Sequence, residues 1–183
     1  MKLLIAIALS VIGLNQDSDD EIKWTENRRL TWLDFQDICF GESSNSAVTA
    51  YAIPFSSTIF QDSIFFEISC VFYKSKSCVK IDEVSSYILN HEQGHFDIAE
   101  IYARKLRKAL FEYSFSKNTT NEEIETLCWK YISEMEKFQV EYDKMTRYSR
   151  DEDEQELWDQ QIKVELKQLI NFSNPNIVKF LSP

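Results

Sequence analysis

The sequence predicts an α+β domain: an N-terminal antiparallel β-sheet packed on one long helix that carries His91-Glu92-Gln93-Gly94-His95, followed by two further helices. Three observations predict it. Between Ile22 and Lys80, apolar and aromatic residues come in short alternating runs broken by polar clusters, which is the pattern of strands. From Asp82 onward they recur every three to four residues over three long stretches, which is the pattern of helices. Only three glycines and three prolines stand among 183 residues, 44% of them hydrophobic, so the chain can build one well-filled core and is not of low complexity.

The chain opens with MKLLIAIALSVIGL, one lysine and then about twelve mostly apolar residues, before the polar NQDSDDE. Those are the proportions of an export signal, read as residues 1–16, and the run is too short for a comfortable membrane span. An uncleaved anchor is the alternative. The expectation is a secreted or periplasmic chain of one domain, residues 17–183, with no membrane span after cleavage. RRLTWLDF and SAVTAYAI read as short strands with FGESSNS as a loop between them. SIFFEISCVFYKS is the strongest strand. It places Phe66, Ile68, Cys70 and Phe72 on one face and Phe65, Glu67, Ser69 and Val71 on the other. Export makes Cys39, Cys70, Cys78 and Cys128 candidates for disulfides, and Cys70 could face Cys78 across the turn-like KSKS. Free, partly buried thiols are the alternative.

The first helix is expected from an N-cap at Asp82 to about Tyr113, with an inward stripe of Val84, Ile88, His91, His95, Ile98, Tyr102, Leu106 and Ala109. Thr120 and Glu123 have the spacing of a capping box. They start a second helix whose stripe runs through Ile124, Leu127, Tyr131, Met135, Phe138, Tyr142 and Met145. A charged break at 147–153 precedes a third, with Trp158, Ile162, Leu166 and Leu169 inward and NPN at 174–176 as its stop. The net charge of −10 argues against a nucleic-acid partner.

HEQGH contains the only two histidines of the chain, and chance gives this spacing with a following glutamate in about one such sequence in a thousand. On a helix, positions i and i+4 share a face, so both imidazoles can ligate one Zn²⁺ without strain. Glu92 then stands where a general base can take a proton from water beside the metal, and a peptide or protein is the substrate expected. The alternative is a pair of core histidines bonded to carbonyl oxygens, in a non-catalytic exported binding or structural domain. A catalytic zinc site has a third protein ligand. Asp97 and Glu100 rotate away from the histidine face, which suits them to structural work or to orienting an imidazole Nδ1–H. The segment 141–159, EYDKMTRYSRDEDEQELWD, is the best source of that ligand.

The motifs LTWLDF, SAVTA, ILNHEQGHFDIAEIYARKLRKAL and YDKMTRY with the later Q and WD, taken in order, resemble the DUF922 family of predicted secreted zinc-dependent proteases. The resemblance spans nearly all of the chain after the signal. It implies His91 and His95 as metal ligands, Glu92 as the catalytic acid/base, and a zincin-like arrangement of sheet and helix. The family pattern has a histidine where this chain has Tyr148, so the resemblance implies that Tyr148 is the third ligand, that another group takes that place, or that the site is weakened. It has a tryptophan where this chain has Cys78.

Overall fold

The computed structural model describes residues 19–39 and 46–182. The expected signal at 1–16 and residues 40–45 of the FGESSNS loop lie outside the described residues. The strands are β1 (Glu21–Lys23), β2 (Asp37–Ile38), β3 (Ala47–Val48), β4 (Tyr51–Ala52), β5 (Phe55–Phe60), β6 (Ser63–Ile68), β7 (Val71–Tyr73) and β8 (Cys78–Val79). The helices α1 (Ser86–Glu112), α2 (Asn121–Met145) and α3 (Glu152–Gln168) follow, and then β9 (Asn176–Phe180). The class is mixed α+β, as expected.

The expected single sheet is instead three small ones, ordered β1-β7-β4, β2-β8-β3 and β5-β6-β9. Every pairing is antiparallel except β2 with β8. SIFFEISCVFYKS breaks at Ser69-Cys70, and its two halves, β6 and β7, join different sheets. Its inward face is the expected one, since Phe66, Ile68, Cys70 and Phe72 are buried. Val71 is buried too, because the break resets the alternation. RRLTWLDF is not a strand. Asp34 accepts from both the backbone N–H and the hydroxyl of Thr31, and this local box winds Trp32–Asp34 into a 3-10 turn. The NPN stop is also displaced. α3 ends at Gln168, and Asn176–Phe180 pair with β6 as β9, a strand that carries one buried residue, Ile177.

Cys39 and Cys78 form the disulfide, joining β2 to β8, so the expected Cys70–Cys78 pairing is not made. Cys70 cannot reach Cys78, because it points into the core with its thiol toward the Phe96 carbonyl. Cys128 is likewise buried and free. No helix among the described residues is long and apolar enough to cross a membrane.

α1 starts three residues later than expected. Val84 is extended, Asp82 falls in a 3-10 turn, and the Ser85 hydroxyl accepts from the Ile88 N–H as the true N-cap. Thr120 and Glu123 do form the capping box of α2, and Asp151 caps α3. From His91 to Leu110 the burial of α1 runs far beyond the stripe of Ile98, Tyr102 and Leu106 and includes Phe96, Ala99, Ile101, Ala103 and Leu110. Sheets cover one side of α1, and α2 and α3 cover the other.

A helix buried all round must also bury its charges. Glu100 accepts from Arg104 Nε at 2.8 Å and from Arg107 at 2.9 and 3.3 Å. Arg104 also donates to the Leu166 carbonyl, and Arg107 to those of Ile68 and Phe172. The cluster thereby ties α1 to β6, to α3 and to the turn after it.

Gly94 of α1 makes room for the Tyr142 ring of α2. A Cβ built there would stand 2.8 Å from Cζ of Tyr142 and nearer still to its hydroxyl. Elsewhere in a helix, alanine would be favoured over glycine by about 1 kcal/mol. Here Gly94→Ala is expected to destabilise by about 1–3 kcal/mol, because the Tyr142 ring has nowhere to move. Urea unfolding reads this directly, and a neutral or stabilising result would show that the two helices can part at low cost.

Candidate metal centre

His91, Glu92 and His95 sit side by side on α1, the first two buried and His95 nearly so. The imidazoles meet edge to face with centroids 4.8 Å apart, and the ring of Tyr142 stacks on His91 at 4.6 Å. Asp143, one residue further along α2, completes the cluster. Its Oδ1 lies 3.3 Å from His91 Nε2 and 3.1 Å from His95 Nε2. These three donors all lie within 4.8 Å of one another.

The far side of each ring is fixed by a glutamine. Gln139 donates its amide to the His95 carbonyl, so its Oε1 is the atom that meets His95 Nδ1 at 2.6 Å. Gln155 donates to the Tyr142 hydroxyl and to Asp159, which leaves its Oε1 to meet His91 Nδ1 at 2.9 Å. Both Nδ1 atoms must therefore carry hydrogens, and both Nε2 atoms turn toward Asp143. Two neutral imidazoles would then aim lone pairs at a carboxylate oxygen, an arrangement that calls for positive charge between them. Protonation or a divalent cation supplies it, and the donor set of two imidazoles and one carboxylate suits the latter.

The electrostatics agree. Burial works against the charge on Asp143, but its bonds to His91 and His95 outweigh that and hold its carboxyl well below the usual range. Burial also works against a charged His95, yet the Asp143 hydrogen bond, the charges of Glu92 and Asp143, and the Gln139 contact raise its pKa above the ordinary value.

Glu92 stands apart from the three donors. It is 4% exposed, and its Oε2 accepts from the Thr49 hydroxyl at 2.7 Å, which also bonds the Glu92 carbonyl. Thr49 lies between β3 and β4, so the small sheets reach the centre through it. Glu92, His91, His95 and Asp143 open on a cleft of about 240 Å³ shared with Tyr51, Tyr148 and Ser149. Burial, with Asp143, Glu136, Cys70 and Glu92 nearby, raises the pKa of Tyr51, so this phenol stays protonated and able to donate. Arg147, Tyr148 and Ser149 all have positive φ (49°, 55° and 61°), an uncommon run for residues with side chains. That turn places Tyr148 at the cleft, 41% exposed, and among the described residues no hydrogen bond joins its hydroxyl to either imidazole.

The expected site residues thus line one cleft, and Asp143 is the carboxylate that meets both Nε2 atoms. Asp97 and Glu100 do the structural work expected of them and orient neither imidazole. Asp97 is held by Trp24, Arg29 and Gln93, and Glu100 by its arginines. The glutamines orient the rings instead.

Residues 75–150 match the family described as bacterial protein of unknown function (DUF922). No curated protein and no solved structure matches the chain. The DUF922 segment holds His91, Glu92, His95, Gln139, Asp143 and Tyr148, while Thr49, Tyr51 and Gln155 come from either side of it. The centre therefore needs more of the chain than the DUF922 match covers.

Proposed function

We propose that this chain is an exported zinc-dependent peptidase, with His91, His95 and Asp143 as the protein ligands and Glu92 as general base, in a zincin-like arrangement of helix and sheet. One observation carries the reading: two imidazoles with Nδ1–H committed elsewhere aim Nε2 at one carboxylate oxygen, next to a buried glutamate that is not one of the converging donors. A zinc ion held by these three residues would lower the pKa of water and polarise a carbonyl. Glu92 takes the proton from the attacking water and passes it to the leaving amine, and the Thr49 hydroxyl holds it in place for both transfers. The Tyr51 phenol, kept protonated, is a donor for the amide oxygen as charge builds on it. Tyr148 and Ser149 line the same cleft, on the path a peptide would take to the ligands.

The test is calorimetric titration of metal-free protein with Zn²⁺, followed by a casein digest analysed by mass spectrometry. One ion per chain and zinc-dependent cleavage are expected. Asp143→Ala should weaken zinc about 100-fold, near 2.7 kcal/mol, whereas Tyr148→Phe should change affinity less than threefold. Equal affinity in Asp143→Ala, with a large loss in Tyr148→Phe, would move the third ligand to the tyrosine. Zinc-loaded protein that cleaves nothing leaves a metal-binding module and removes the peptidase.

A further inference from the structure

A cavity larger than the one that holds the histidines lies elsewhere in the fold. It measures about 570 Å³, within the ~300–1,000 Å³ range of small-molecule sites, and lies between α3 and an adjacent face of α1. Its apolar surface comes from Trp24, Ile162, Leu166 and Ile170. The indole is held rigidly. Its Nε1 donates to Asp97 at 2.8 Å, and the Arg104 guanidinium lies over its ring, 5.0 Å from the centroid. An aromatic wall fixed in this way costs a ligand little ordering.

The charges on the wall are unevenly committed. Asp97 is occupied by Arg29, Trp24 and Gln93, and Asp159 accepts from Asn90 and Gln155. Arg104 is bound to Glu100. Lys163 and Lys167, one turn apart on α3, line the same cavity and have no ion-pair partner among the described residues. Of the acids lining the cavity, Glu26 alone has no partner among the described residues. In a chain of net charge −10, two free ammonium groups on the wall of an apolar cavity are a specific feature.

We propose that this cavity binds a small carboxylate with an apolar body, its carboxylate held by Lys163 and Lys167 and its body laid on Trp24, Ile162 and Leu166. The inference is independent of the metal centre and of peptide hydrolysis.

Decanoate and 4-phenylbutyrate, one aliphatic and one aromatic, serve as probes, with decyltrimethylammonium as the cationic control and intrinsic fluorescence as the readout. A saturable change with either carboxylate is expected, and Trp24→Phe should remove most of it. Lys163→Ala/Lys167→Ala should weaken binding at least tenfold. Both positions are exposed and alanine favours helix, so circular dichroism of this variant should match the parent. The ammonium should bind at least tenfold more weakly than decanoate. No saturable response to either carboxylate overturns the proposal. So does unchanged affinity in the double alanine variant, or equal binding of the cation.

Discussion

Glu92→Gln is expected to lower zinc-dependent hydrolysis by about 10²–10⁴-fold while leaving zinc affinity and the unfolding midpoint unchanged. Glutamine has nearly the shape of glutamate and keeps an oxygen for the Thr49 hydroxyl, so the local packing survives. It lacks the basicity to take a proton from water. The three converging donors do not include position 92, so metal should be retained. Steady-state rates on a peptide found in the casein digest, beside a zinc titration of the same preparation, separate the two effects. Parental rates in the glutamine variant would remove Glu92 from the mechanism. A parallel loss of zinc would instead make it a ligand.

Glu100→Ala should cost about 3–5 kcal/mol, which for a chain of this size is a fall in Tm of roughly 6–20 °C. The reason is the company Glu100 keeps. Removing it leaves the guanidiniums of Arg104 and Arg107 side by side, both about 3% exposed, with carbonyl oxygens but no anion. Glu100→Gln should fall between parent and alanine, since it restores an acceptor without the charge. A loss below about 1 kcal/mol in the alanine variant would mean that water or another acid reaches the arginines.

The sequence carried the helices further than the sheets, for physical reasons. Periodicity over long stretches found all three helices, and the spacing of Thr120 and Glu123 found a real cap. It did not find that α1 is buried on nearly every side, because Glu100, Arg104 and Arg107 look like a solvated face until each is seen to have a partner. Strands of two or three residues leave too little alternation to read, and Asn176–Phe180 has one buried residue to betray it. Of the site, HEQGH was plain from its spacing. Asp143 lay in the segment named as the source of the third ligand, but that segment is rich in acids and nothing local distinguishes this one. Gln139 was missed, and Gln155 stood only as the Q of a family motif, with no role attached. Their signal was a repeated pair, Gln139 with Asp143 and Gln155 with Asp159, each four residues apart on its helix.

The pairing of β9 with β6 also fixes an order of events. β6 can take β5 as a neighbour as soon as both have been made, since a tight turn joins them. Its other edge stays open until residues 176–180 arrive from far along the chain. Contacts between such distant segments form late and slow the overall rate of folding. Through that interval a strand rich in phenylalanine and isoleucine offers unpaired backbone to any neighbouring chain. Shortening the chain before Asn176 would make that interval permanent, so the truncated protein should self-associate even with its three helices and its histidines in place.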